Sequence, residues 1–372
     1  MRTLIFLLLA LPGFAWAQPR GIFIYAGAAV PGPVTMSAPV LEGLTAVLKW
    51  HEIEATRGVY DWTVADAFVA TARAYRKQLI LGVRHGCVSG CAAADTNMPA
   101  WYTGPTFTCE SGEVGPQTWR PEFLTPWREL QHQLILRYRA EPEVVGFILS
   151  GVSSWKFAEM APNTVCSLAA TRHDRDHAIA QGYTRRRLQD AMLALANDMA
   201  ALTTKPLRFI FARIIDETDG TASMAQTVDW VIEPLRARFR VGHRGRPVHL
   251  PVNRFPALTR LVAARTVSQI AFMQSSLSGL RGDPGRVWNT SALQPFEQAL
   301  YDLRPEVSWQ LDIPANGGPD TADALAEAGD IGLHYGMRWL EVKNVDVVDT
   351  AMQPVLHCLN LAMLASGGHC GH

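Results

Sequence analysis

The stretch from residue 43 to 86 constrains this chain more than any other. Leu44, Ala46, Val47 and Leu48 form one apolar run, and Leu79, Ile80, Leu81, Gly82 and Val83 form a second. Between them lies TVADAFVATARAYR, where Val64, Ala67, Phe68, Ala72 and Tyr75 fall at helical spacing behind Asp61, a residue suited to capping. Strand, helix, strand in this order predicts a parallel pair joined by a crossover. Parallel strands are usually buried on both faces. The polar groups at the two strand ends therefore need a reason: Lys49, Trp50, His51 and Glu52 on the first, Arg84 and His85 on the second.

The rest of the chain repeats the pattern. Apolar runs at 21–25, 144–149, 207–214, 269–273 and 337–342 read as strands 1, 4, 5, 7 and 8, with a weaker strand 6 at 240–243. Residues 309–313 read as an extra strand. Helical patterns cover 126–139, 184–202, 224–239, 291–303, 322–328 and 355–365, with Gly329 as a stop signal. Long polar loops follow strands 3, 4 and 7. The expected fold is α/β, a single (β/α)8 TIM barrel over residues 18–372. An open doubly wound sheet is the alternative. Its nucleotide-binding form needs a Gly-rich first turn, and Gly27-Ala28-Ala29 is a poor one.

KWHEIEATRGVYDWTVADAFVATARAYRKQLILGVRHG resembles the strand 2 to strand 3 segment of the glycoside hydrolase barrels with paired catalytic glutamates. That clan includes cellulases and β-galactosidases. The matching residues are Trp50, Glu54, Gly58, Tyr60, Asp61 and Trp62, followed by Pro99 and Trp101. The resemblance implies a barrel fold, a catalytic acid at the end of strand 4 and a nucleophile at the end of strand 7. The clan's Asn-Glu pair at strand 4 is replaced here by Ser150-Gly151, with Glu159 farther into the loop. Gln274 follows the expected strand 7.

Active sites of such barrels lie at the C-terminal ends of the strands. The expected substrate-binding set is Lys49, Trp50, His51, Glu52, Arg84, His85, Trp155, Arg213, His243, Gln274, Trp339 and Lys343. Tryptophan faces suit sugar rings. Glycosidic cleavage needs two carboxylates. Glu159 is the expected acid. Glu341 is the expected partner, because period-two alternation puts Trp339, Glu341 and Lys343 on one face. A structural ion pair is the other reading of Glu341. Glu52, Glu54, Asp216, Glu217 and Asp312 are further candidates.

The expected function is hydrolysis of a glycosidic bond in an oligosaccharide or polysaccharide, without a cofactor. Two alternatives stand beside it. One is a barrel that binds glycans without cleaving them. The other is a metal-dependent hydrolase using His51, His85, His243 and Asp216. Lys and Arg total 34 against 34 for Asp and Glu, so there is no general basic field for nucleic acid.

Residues 1–17, MRTLIFLLLALPGFAWA, read as a secretory signal, with Ala15-Trp16-Ala17 as the cleavage site. No later apolar stretch is long enough to span a membrane. A periplasmic or secreted bacterial protein is expected. Cys87, Cys91, Cys109, Cys166, Cys358 and Cys370 make an even count, which in an exported chain favours disulfides. The expected pairing joins Cys358 to Cys370. Zinc held through Cys87, Cys91 and His85 is the rival reading.

Overall fold

The computed structural model describes residues 19–85, 98–108, 114–150, 172–211, 214–215, 222–223, 270–277, 307–311, 322–334 and 337–365. In chain order the elements begin with β1 (Gly21–Gly27), α1 (Pro33–Met36), β2 (Leu41–Lys49), α2 (Trp50–Ile53), α3 (Thr63–Tyr75) and β3 (Gln78–Arg84). A small hairpin follows, β4 (Thr106–Thr108) and β5 (Val114–Pro116), then α4 (Pro121–Tyr138) and β6 (Val144–Ile148). Next come α5 (Arg172–Ala180), α6 (Arg185–Leu202), β7 (Leu207–Phe211), and the short β8 (Ile214–Ile215) and β9 (Ala222–Ser223). The last are β10 (Ile270–Leu277), β11 (Val307–Leu311), α7 (Ala322–His334), β12 (Trp339–Val342), α8 (Asn344–Val348) and α9 (Gln353–Ala365).

Eight of the strands build one curled parallel sheet. Its order is β1-β12-β11-β10-β7-β6-β3-β2, and β2 pairs back with β1, closing the ring. The expected parallel α/β architecture is therefore present. The expected strand count needs one correction. β10, taken from sequence as strand 7, is the sixth strand of the ring, and β11, taken as an extra strand, is the seventh. Residues 240–243, the expected strand 6, lie outside the described residues. The helices expected at 224–239 and 291–303 also lie outside the described residues.

Alternation splits the core in two. Phe23, Val47, Ile80, Ile148 and Trp339 meet inside the ring, with Tyr25 and Val145 packed on them. The intervening residues, such as Ile22, Leu44, Leu79, Phe147 and Leu340, face outward into the layer shared with the helices. Gly43 lies on the inner side, where a Cβ would come within 2.3 Å of the Phe23 ring. The ring fills that space, so glycine is required.

The helices differ from expectation where local pattern competes with packing. The buried stripe of α3 is Ala65, Phe68, Val69 and Ala72, while Val64 is exposed. Trp62, not Asp61, holds the N-cap position and makes no side-chain cap bond; Asp61 lies one residue earlier and accepts from the backbone N–H of Thr63 at 2.8 Å. Helix α4 begins at Pro121 rather than Pro126. Pro121 occupies the first turn, where no intrahelical N–H partner is needed. Helix α7 runs through Gly329 to His334 instead of stopping at the glycine. A Cβ on Gly329 would lie 2.3 Å from the Leu359 side chain, so this glycine permits close packing of α7 on α9.

At the opposite end of the sheet from the strand tips, Lys205 is buried with its ammonium donating to the carbonyls of Glu141 and Val144. Burial pushes its pKa down to about 8, opposed by Glu141 and Glu143. The folded value lies below the unfolded one, so between about pH 8 and 10.5 the unfolded chain holds more protons at this site. Stability from this group should rise with pH across that window. The unfolding free energy of the wild type minus that of Lys205→Met should grow by about 3 kcal/mol over it. Denaturant titrations at several pH values check this, and a flat difference would contradict it.

Candidate functional site

The C-terminal ends of β2 and β3 lie side by side, with Lys49 in register with Arg84. Lys49 shares the inward parity of Thr45 and Val47, and Arg84 that of Ile80. Tyr25 stands near them on β1. Burial raises its phenol pKa, and nearby Arg84 opposes the rise, so the hydroxyl stays protonated at neutral pH. Lys343 directly follows β12 in extended backbone, on the parity of Trp339 and Glu341, and is exposed. Lys49, Arg84 and Lys343 thus gather at one mouth of the ring.

Beyond Lys49 the chain turns at once into α2. Lys49 Nζ pairs with Glu52 Oε1 at 2.6 Å, and His51 Nε2 lies 3.9 Å from the same oxygen. Trp50 faces the other way. It is 0% exposed and makes edge contacts with Trp101 and Trp127 at centroid distances of 5.5 and 5.2 Å. His85 packs against Phe123 and Trp127 at 4.9 and 5.1 Å. Trp50 and His85 therefore belong to the aromatic layer behind the sheet rather than to the open mouth. Trp101, one of the residues matching the resembled clan, is half-buried, with Arg57 over its ring at 5.6 Å.

Glu54 ties this corner together. It is 1% exposed and accepts from Trp50 Nε1 and from the Gly58 N–H, each at 2.8 Å. Its carbonyl accepts from Trp101 Nε1 at 2.7 Å. Both carboxylate oxygens are thus engaged in holding the turn. Glu54→Ala leaves a buried indole N–H without its acceptor and should cost about 1–3 kcal/mol. Thermal unfolding measures this, and an unchanged Tm would refute the role.

Inside the ring, Arg208 on β7 reaches across to β12. Its Nη1 and Nη2 donate to Oε1 and Oε2 of Glu341, each at 2.9 Å, and Nη1 also donates to Thr45 Oγ1 at 3.0 Å. Glu341 is 1% and Arg208 2% exposed. The guanidinium carbon lies 6.0 Å from the centroid of Trp339, which is itself 1% exposed. This corrects two expectations. The partner of Glu341 is Arg208 rather than Lys343, and Trp339 is interior packing rather than a rim platform. A carboxylate held by both oxygens below the mouth is placed as a structural counter-charge. Arg208 went unnoticed in sequence because an arginine near a strand start looks like an ordinary surface residue.

Glu159, Trp155, Arg213, Asp216, Glu217, His243 and Asp312 lie outside the described residues. Gln274 lies within β10, one strand earlier in the ring than expected. Cys87, Cys91, Cys109, Cys166 and Cys370 are also outside them, while Cys358 is disulfide-bonded. Among the described residues, no three His, Cys, Asp or Glu side chains gather as a metal site. No described helix is long and apolar enough to cross a membrane.

No family model and no curated protein sequence matches this chain. Solved structures do. The catalytic domain of β-amylase from Paenibacillus polymyxa superposes with a TM-score of 0.56 at 7% identity, covering 94% of this chain and 99% of that one. Xylanase 10B from Thermotoga petrophila gives 0.45 at 12% identity, over 87% and 82%. Endo-glycoceramidase II from Rhodococcus gives 0.47 at 12%, over 91% and 78%. The fold is similar to that of this β-amylase catalytic domain. At 7% identity the likeness extends to the fold and not to individual residues.

Proposed function

We propose that this chain is an exported (β/α)8 barrel, with long loops after its third and fourth strands and after β10, now the sixth, that hydrolyses a glycosidic bond. Paired carboxylates at the C-terminal mouth carry the chemistry. The observation behind this reading is the corrected strand order. With β11 as the seventh strand, the residue directly following it is Asp312, and the loop after the fourth strand, β6, contains Glu159. These are the two strand ends where the resembled clan keeps its nucleophile and its acid. The glutamine at the former strand 7 position ceases to be an obstacle.

In this mechanism Glu159 protonates the leaving oxygen. Asp312 attacks the anomeric carbon or activates water, depending on their separation. Asp312 is one methylene shorter than the clan's glutamate. Glu341 fixes Arg208 inside the ring instead of meeting substrate. Export, cleavage after Ala17 and a Cys358–Cys370 disulfide complete the proposal. The fold likeness supports a carbohydrate-related barrel, and the mouth residues supply polar groups for sugar hydroxyls.

A glycan-binding barrel without catalysis is the second reading. It is favoured by the buried carboxylates Glu54 and Glu341 both being engaged in structure. A screen of polysaccharides and chromogenic glycosides, read by reducing-end release and by binding, separates the two. Hydrolysis supports the enzyme, binding without hydrolysis supports the second reading, and neither would overturn both.

A further inference from the structure

Among the described residues, three cations stand at the mouth, and they differ in what balances them. Lys49 has Glu52. Arg84 and Lys343 have no carboxylate within ion-pair distance among the described residues, and the half-buried Arg84 keeps its Nε out of water without a hydrogen-bond partner. A guanidinium half-withdrawn from water, with no counter-charge among the described residues, is an unfavourable arrangement for an empty site. Elsewhere in the described chain, half-buried or buried arginines are engaged: Arg208 with Glu341, Arg128 with Asp198, and Arg120 with Gln117 and the Gln181 carbonyl. Arg84 also has Lys49 as its register neighbour, a like charge that an anion between them would relieve. The Tyr25 phenol beside Arg84 remains a hydroxyl at neutral pH, a group that can donate to an anion's oxygens.

We propose that the mouth takes an acidic glycan, with the anionic substituent of one sugar, a carboxylate or a sulfate, docking on Arg84 beside Lys49, with Lys343 farther round the ring on the other side of β1. This deepens the carbohydrate reading and rests on it. A planar guanidinium binds a carboxylate through two parallel hydrogen bonds and binds sulfate oxygens equally well. The two lysines add charge on one side of it. The chain carries no net charge, so attraction for polyanions is local to this mouth rather than general.

The test is affinity electrophoresis of the full mature chain in gels containing polygalacturonate or dextran sulfate. The matched controls are carboxyl-reduced polygalacturonate and plain dextran. The variants are Arg84→Gln, Lys343→Gln and Arg186→Gln, the last an exposed arginine on α6. The proposal expects retardation by an acidic polymer and none by its neutral counterpart. The polymer that retards identifies carboxylate or sulfate as the group bound. It also expects an apparent Kd at least about tenfold higher for Arg84→Gln, with Arg186→Gln unchanged. Should Arg84→Gln fail to fold, the exposed Lys343→Gln gives the same readout, with weakening confined to the acidic polymer. Equal retardation by the neutral polymers, or equal behaviour of Arg84→Gln and Arg186→Gln, overturns it. Binding of neutral glycans alone would end this proposal and leave the carbohydrate reading standing. Binding of no glycan at all would end both.

Discussion

Arg208→Met is expected to cost about 3–5 kcal/mol of stability, because it leaves the Glu341 carboxylate buried without its partner. Glu341→Leu should cost a similar amount by stranding the guanidinium. The double variant should recover most of the loss, since a packed apolar pair of similar volume avoids both desolvation penalties. The location of the pair adds a structural reason for the size of the effect. The ladder is thin at two seams, β6 with β7 and β11 with β12, each with two residue pairs in register. Arg208 lies on the first seam opposite Ile148, and Glu341 on the second opposite Gln310. The ion pair therefore bridges across the interior from one weak seam to the other. Hydrogen exchange should show early loss of protection at residues 207–211 and 339–342 in either single variant. Full stability in both single variants would refute the bridging role.

Glu159→Gln and Asp312→Asn should each lower the hydrolytic rate by about 10²–10⁴-fold, the usual range for removing a positioned acid or base. Melting temperature should stay near that of the wild type, because in this reading both carboxylates meet substrate rather than hold the ring. Glu341→Gln should behave in the opposite way, losing stability at least as conspicuously as rate. That contrast separates a group that meets substrate from one that holds the ring. A Glu341→Gln variant of full stability with no activity would return Glu341 to the chemistry and remove Asp312 from it.

Much of the ring was legible because parallel strands are written as continuous apolar runs. Residues 21–25, 44–48, 79–83 and 144–149 all fall in β1, β2, β3 and β6 or at their ends. The error came at the later strands. VSWQL carries a tryptophan and a glutamine among apolar residues and follows Pro305-Glu306, so it reads as a loop-bound strand, although it is β11 of the ring. Moving one strand shifted the sixth and seventh strand ends, and with them the expected nucleophile.

The site was legible in type and less so in orientation. Sequence alternation put Glu341 and Trp339 on the inner face, as the structure does, but depth along the strand is invisible to alternation. Strand-end residues sit in the mouth only where the chain keeps its extended geometry past the ring. It does so at Lys343 and turns immediately into α2 at Trp50, which sends that indole into the layer behind the sheet. The partner of Glu341 was illegible for another reason: it is Arg208, 133 residues away in sequence and brought near only by closure of the ring.

Hydrogen exchange of the wild type with and without a glycan retained in the binding screen tests the central claim most directly. Slowed exchange is expected at residues 49–54, 84–85 and 343–346, with residues 41–43, 76–78 and 141–144 at the far end of the sheet unchanged. Protection confined to the far end or to the outer helices, or no protection anywhere with glycan bound, would contradict a carbohydrate site at this mouth.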